Sequence, residues 1–289
     1  MSQPIIKQVK QICQAYDIVP SRSKGQNFLI SQKVLEQIAA AADLSADSEV
    51  LEVGPGLGIL TELLVKKARR VISVELDKKL FVFLQSKFSE VKNLELINYD
   101  ILEFQAKSYK LKALGYKVVA NLPYNITSNF LKKFLTSEIR PKEMALLVQK
   151  EVAQRICAKP GQMSLLAVSI QLYGQPKIIS VVDKNNFWPS PEVNSAVIKI
   201  EKIKSNKEVV DYLKGITEQF FWQVVKIGFS AKRKQLQNNL AAGLKISHDQ
   251  AKKVLKKANF DPQIRAQSLS ITDWVTLAKS LSSGPDYSG

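Results

Sequence analysis

Cysteine and histidine are nearly missing from this chain of 289 residues: two cysteines, Cys13 and Cys157, and a single histidine, His248. The cysteines stand far apart, with no CxxC pair and no histidine cluster, so neither a disulfide framework nor a zinc site is supported, and a reducing compartment fits. His248 sits among Ser247, Asp249 and Gln250 and reads as a solvated surface residue. Any chemistry has to run without a histidine base, and no metal ligand set is expected. Long apolar runs are missing too. No stretch approaches 18 uninterrupted apolar residues, and residues 1–10 hold no apolar segment of signal-peptide length, so the expected location is the cytoplasm, with no membrane partner. Internal repeats are absent, and the one low-complexity stretch, residues 282–289 (SSGPDYSG), reads as a disordered tail.

What is abundant is positive charge. Lys and Arg number 42 against 26 Asp and Glu, a formal net charge of +16. Such a surplus attracts polyanions and makes nucleic acid the leading partner class, although a basic surface also serves solubility. The length suits one full α/β domain plus a smaller one, and a 45% hydrophobic content supplies cores for both.

Residues 49–54 (EVLEVG) form a short apolar run ending in glycine, followed by a helical pattern over 60–68. The unit recurs. Residues 71–76, 94–98, 117–121 and 144–148 are strand-like, with helical spacers such as 80–88 and 127–136. This alternation predicts an α/β fold, a doubly wound, mostly parallel sheet with helices on both faces. A helical stretch over 150–158 follows, and residues 164–173 and 195–200 read as later strands that can close the sheet antiparallel. Around 202–207 (KIKSNK) the text turns charged and then helical, with expected helices over 208–214, 217–229, 232–240, 248–257 and 272–281. The expected domains are therefore 1–203 and a small all-α domain over 204–289.

Glu52, Gly54, Gly56 and Gly58 spell E-x-G-x-G-x-G at the end of the first of these strands, where glycines let backbone pass close to a nucleotide-like ligand. The dinucleotide fingerprint G-x-G-x-x-G is not met, since Ile59 stands where its last glycine would fall. Polar residues also recur at successive strand ends: Glu75, Asp100 and Asn121. Ligands of open α/β sheets bind at those ends. Glu75 is suited to accept both hydroxyl protons of a ribose, and Asp100 a proton of an adenine amine. Taken singly, each carboxylate could be a helix cap or a solvated group. Together with the glycine loop they point to a cofactor site.

Asn121-Leu122-Pro123-Tyr124 follows the fourth of these strands, where proline forces the chain to turn above the sheet. An exocyclic adenine amine is a poor nucleophile because its lone pair is delocalised into the ring. The Asn121 side-chain oxygen and the Leu122 carbonyl can each accept an amine hydrogen, localising that lone pair and aiming it at a sulfonium methyl. Tyr124 can stack on the base. Phe187 opens Phe187-Trp188-Pro189-Ser190-Pro191 and is the candidate for the opposite wall of the base pocket, a buried core aromatic being the competing reading.

With these residues in view, the sequence resembles the ribosomal RNA adenine N6-dimethyltransferases, specifically the small-subunit type whose loss gives kasugamycin resistance. The resemblance rests on residues 25–29 (GQNFL), 52–58, 121–126 (NLPYNI) and 187–195 (FWPSPEVNS). It implies a Rossmann-like class I S-adenosylmethionine methyltransferase domain with a small helical domain, acting as a monomer. The implied cofactor is S-adenosylmethionine, contacted by Gln26, Asn27, Leu29, Gly54, Gly56, Glu75, Leu76, Asp100, Ile101 and Asn121, with Asn121, Leu122, Tyr124 and Phe187 catalytic. The implied substrate is the pair of adjacent adenines in the terminal hairpin of small-subunit (16S) rRNA within the pre-30S particle, each methylated twice. A large-subunit (23S) rRNA adenine methyltransferase of macrolide resistance shares the fold and loop, and a non-catalytic assembly factor is the reading from another class. Residues 228–240 and 261–270 resemble the small-subunit type, although Ala231-Lys232 replaces the usual glutamine and arginine, and residues 158–165 are shortened. Lys232, Arg233 and Lys234 are the densest basic run and the candidate RNA contacts, on a face that could equally be merely solvated.

Overall fold

Apolar runs bounded by polar turns become strands at nearly the limits their pattern predicts in the computed structural model, which describes residues 3–21 and 25–282. Helix α1 (Gln3–Ala15), the short strand β1 (Phe28–Leu29) and helix α2 (Gln32–Ala41) lead into the alternating region. That region runs β2 (Glu49–Val53), α3 (Ile59–Lys67), β3 (Arg70–Glu75), α4 (Lys78–Lys87), β4 (Leu94–Asn98), β5 (Lys117–Asn121), α5 (Thr127–Thr136) and β6 (Glu143–Gln149). Helices α6 (Lys150–Ile156) and α7 (Leu165–Gln171) precede β7 (Gln175–Val182), β8 (Phe187–Trp188) and β9 (Ser195–Glu201). The rest is helical: α8 (Asn206–Tyr212), α9 (Glu218–Gly228), α10 (Leu236–Leu244), α11 (His248–Lys257) and α12 (Ile271–Ser282).

The seven-stranded sheet has the order β4-β3-β2-β5-β6-β9-β7. Its first five strands are parallel, and β9 runs antiparallel to both of its neighbours. Strand order reverses between β2 and β5, which opens a crevice at their carboxyl ends. On one face, Val34, Leu35 and Ile38 of α2 and Leu64 of α3 cluster with Val50, Val71, Val119 and Leu147. The residues that alternate with these, Leu51, Ile72, Val118 and Leu146, are themselves fully buried, so both faces are covered. Burial of one such side chain contributes about 1.5–3 kcal/mol.

The chain divides into two compact units, Met1–Gln154 with Gly174–Ile203, and Arg155–Tyr173 with Lys204–Gly289. The second unit thus resumes at Lys204, where the sequence turns charged, and it also takes in Arg155–Tyr173. Within that segment the expected strand over 164–173 is instead α7. Val168 and Ile170 favour strand by their branching, but Ser164 caps a helix with its side chain accepting from the Ala167 N–H at 3.2 Å. Among the described residues no helix is long and apolar enough to cross a membrane. Residues 283–289, read as a tail, lie outside the described residues.

Gly58 ties the fold to the crevice. It caps α3 with φ +73°, and a Cβ there would lie 2.6 Å from the Phe88 ring and 2.9 Å from Leu84 of α4. We expect Gly58→Ala to lower the unfolding free energy by about 2–4 kcal/mol, from left-handed strain plus overpacking. Chemical denaturation measures this, and an unchanged midpoint would mean that Phe88 moves aside without cost.

Candidate active site at the carboxyl edge of the sheet

Parallel strands deliver their last residues to one edge, and there β2, β3 and β5, with the turns that follow β2 and β4, enclose a cavity of about 280 Å³. All ten residues expected to contact the cofactor line it: Gln26, Asn27, Leu29, Gly54, Gly56, Glu75, Leu76, Asp100, Ile101 and Asn121. Gly56 has φ +58°, and a Cβ there would come within 3.4 Å of the Phe28 ring, so the loop stays open only with glycine. Tyr99 and Asp77 also line the cavity, and the sequence motifs do not single them out. Asp77 caps α4, accepting from the Lys79 and Leu80 N–H groups, so its cap pattern two residues past Glu75 is the signal that points to it.

The wall is acidic. Glu75 is 6% exposed, and its carboxylate accepts from the Gly56 N–H at 3.1 Å and the Asp77 N–H at 2.9 Å. Burial pushes its pKa up, opposed by those two backbone bonds. Glu52 is 1% exposed, and its Oε2 accepts from Thr61 Oγ1 at 2.8 Å and Ser73 Oγ at 2.5 Å. Burial raises the Glu52 pKa to about 7, against the pull of the two hydroxyls. Asp100 accepts from the Leu102 N–H at 2.8 Å. Four carboxyl groups, Glu52, Glu75, Asp77 and Asp100, therefore meet the cavity, and no lysine, arginine or histidine among the described residues does. They do not group as a metal site: among the described residues no cluster of three His, Cys, Asp or Glu could hold an ion.

Asn121 ends β5 and points its amide at the N-terminal loop. Its Nδ2 donates to the Asn27 carbonyl at 3.2 Å. A carbonyl can only accept, so this bond fixes the amide orientation and leaves Oδ1 as the acceptor. The Leu122 N–H bonds the Leu147 carbonyl at 3.1 Å, and among the described residues no group donates to the Leu122 carbonyl. Tyr124 is half-buried, its hydroxyl bonded to Ser195 Oγ at 2.8 Å, and burial raises its pKa. Leu122 and Tyr124 lie beside the cavity without lining it, while Pro123, Asn125 and Ile126 do line it.

Phe187 departs from the expectation that it walls a base pocket. It is 3% exposed and belongs to the core cluster with Leu29, Leu35 and Ile38. The cause is strand pairing: β8 runs antiparallel to β1 with Leu29 opposite Phe187, which turns the ring inward.

Lys232, Arg233 and Lys234 are exposed, as expected, but on a loop and not on a helix. All three are good helix formers, yet α10 starts at Leu236. The buried Asn239 amide donates to the Gly228 carbonyl at 2.6 Å and the Ala231 carbonyl at 3.2 Å, and the Leu236 N–H bonds the Ile264 carbonyl at 2.8 Å. These tertiary bonds hold the loop open.

A family model described as ribosomal RNA adenine dimethylase matches residues 21–283. The chain is 43% identical over 281 residues to ribosomal RNA small subunit methyltransferase A of Dehalococcoides mccartyi, covering 97% of this chain and 95% of that one. The protein of the same name from Geobacillus kaustophilus is 35% identical over 281 residues, 94% of each chain. Among solved structures, the 23S rRNA methyltransferase ErmE is similar with a TM-score of 0.69 and 26% identity, covering 89% of this chain and 100% of that one. A dimethyladenosine transferase from Plasmodium falciparum shares the fold, with a TM-score of 0.74, 24% identity, and 86% and 95% of the two chains covered. The larger unit therefore has the Rossmann-like fold of class I methyltransferases, and the chain belongs to the ribosomal RNA adenine dimethylase family.

Proposed function

We propose that this protein transfers methyl groups from S-adenosylmethionine to the N6 amines of two adjacent adenines in the 3′-terminal hairpin of small-subunit rRNA, converting each to N6,N6-dimethyladenosine. Acting on the assembling small subunit would place it in the cytoplasm. The observation that carries the reading is the position of Asn121, on the cavity wall and at the head of Asn121-Leu122-Pro123-Tyr124, with its amide held by the Asn27 carbonyl. The 43% relative named for the small subunit favours that acceptor over the large subunit named for the 26% structural neighbour.

The cavity residues fit S-adenosylmethionine. An acidic lining suits a ligand that carries ammonium and sulfonium charge, and it disfavours a pyrophosphate. Glu75 accepts ribose hydroxyl protons, Asp100 the adenine amine, and the backbone of Gly54 and Gly56 lets the ligand lie close. Bound there, the cofactor supplies an electrophilic methyl group. Asn121 Oδ1 and the Leu122 carbonyl accept the two hydrogens of the target amine, so its lone pair is localised and aimed before attack. Tyr124 stacks on the extruded base, worth about 1–3 kcal/mol, with Ser195 fixing the ring through its hydroxyl. No strong base is required, consistent with chemistry that uses no histidine. Lys232, Arg233 and Lys234 of the helical unit bind rRNA phosphates, supplying affinity and not sequence choice.

Radiolabelled methyl transfer should proceed on under-methylated small subunits and not on naked large-subunit rRNA. Transfer to the large-subunit RNA alone would favour the resistance methylase, and S-adenosylmethionine binding without transfer to either would favour an assembly factor. Asn121→Ala should lower turnover about 100- to 1,000-fold with a smaller loss of cofactor affinity. Tyr124→Ala, and more mildly Ser195→Ala, should raise KM for the subunit more than they lower kcat. Replacing Lys232, Arg233 and Lys234 by alanine should reduce the salt dependence of RNA binding by about one unit of slope for each phosphate no longer neutralised. An unchanged slope would remove this loop from the RNA interface.

A further inference from the structure

Glu52 and Asp77 are the carboxyls on the cavity wall that the proposed methyl transfer does not use, and of the two Asp77 is occupied as the cap of α4. The Glu52 side chain leaves β2 on the face covered by α3, where Thr61 and Ser73 both donate to Oε2, and its Oε1 is buried with no hydrogen-bond partner. The other wall carboxylate of comparable burial is satisfied differently, with Glu75 accepting a backbone N–H on each oxygen. A buried carboxyl oxygen without a donor is costly to ionise, and a cation brought to the cavity would remove that cost. The neighbouring charged groups are few: Glu75 at the end of β3, which opposes ionisation, and Lys87 of α4, which favours it. Lys87 is already committed to Glu62 at 2.7 Å and to the Leu57 carbonyl at 2.9 Å. On its remaining side β2 pairs with β5, where the residue opposite Glu52 is the apolar Val119.

We propose that Glu52 is a proton-coupled positioning residue for the positively charged cofactor: it shares its site between the protonated and ionised forms while the cavity lacks a cation and is ionised when one is bound, so that binding releases a proton. The proposal rests on the S-adenosylmethionine reading. Thr61 and Ser73 then hold the ionised form through Oε2, in the wall beside the ligand's charge. The direction follows from linkage. A pKa near 7 without ligand that falls on binding makes affinity rise with pH up to about 7 and level off above it. Loss of the sulfonium charge in the product weakens the same interaction, which favours product release.

Calorimetric titration of the whole protein with S-adenosylmethionine, in two buffers of different ionisation enthalpy, reads the proton release directly. About half a proton should leave per ligand at pH 7, and Kd should tighten about tenfold from pH 6 to pH 8 in the wild type relative to Glu52→Gln. The ligand's own amino group titrates equally against both proteins and cancels in that comparison. Ser73→Ala, which removes one donor to the ionised form, should move the midpoint of the pH dependence upward with binding retained. S-adenosylhomocysteine should release fewer protons than S-adenosylmethionine. Equal proton release from the wild type and Glu52→Gln, or an unmoved midpoint in Ser73→Ala, overturns the proposal and leaves the cofactor reading standing. Absence of S-adenosylmethionine binding by the wild type overturns both.

Discussion

The carboxylate of Glu75 joins the two turns from which the cavity is built. As the last residue of β3 it accepts from Gly56, in the loop after β2, and from Asp77, at the start of α4. Without it two half-buried N–H groups would lose their acceptor. The loop that follows β2 and the cap of α4 are thus positioned by one side chain. A carboxylate offers roughly four lone-pair sites, and the backbone takes two, so Glu75 can shape the wall and still accept from a ligand. Both oxygens of Glu75 are hydrogen-bonded, which opposes the upward push of burial on its pKa, whereas Glu52, with one oxygen unpartnered, is raised to about 7.

Charge is segregated between the surface and this cavity. The chain carries a net +16, yet the lining contains four carboxyl groups and no basic residue among those described. A uniformly basic cleft would draw RNA phosphates into the cofactor's place. On the proposed reading, an acidic recess within a basic molecule instead separates a cationic donor ligand from a polyanionic acceptor, each attracted to its own region. The small size of the recess reinforces the separation, since opposing fields act at short range and are screened beyond about 8–10 Å.

The parallel strands are readable because strands buried on both faces are near-continuous apolar runs, and β4, β5 and α5 have the predicted limits. The strand-end residues Glu75, Asp100 and Asn121 follow from that register, while Gln26, Asn27 and Leu29 reach the same cavity from the segment before α2 and rest on the family resemblance. What the sequence hides is tertiary. Strand β7 is an edge strand with Pro176 near its start and a bulge between Ile178 and Ser180, so its alternation is broken and most of its side chains are exposed. Helix α7 is decided by the Ser164 cap against the branched Val168 and Ile170. The loop bearing Lys232 is decided by Asn239. Phe187 cannot be told from a pocket wall in the sequence because the inward turn of its ring comes from pairing with a two-residue strand far away in the chain. The partners of Glu52 are nearer in sequence, but Thr61 reaches it only once α3 packs on the sheet and Ser73 only once β3 pairs with β2.

Asn121 stands where these constraints converge. Its backbone belongs to β5, beside the switch in strand order, and its side chain reaches the N-terminal loop through the Asn27 carbonyl. That bond ties the amide to a loop which itself lines the cavity, so a ligand that orders residues 25–29 also orders the acceptor oxygen. Methyl transfer needs the donor carbon and the acceptor lone pair aligned within a few tenths of an ångström, and misplacement of about 1 Å can cost 100-fold in rate. On the proposed reading, one residue contacts both ligands and satisfies that demand without a separate scaffold. Pro123 follows two residues later: with no N–H to continue the ladder, it turns the chain above the sheet and lines the cavity beside Asn121.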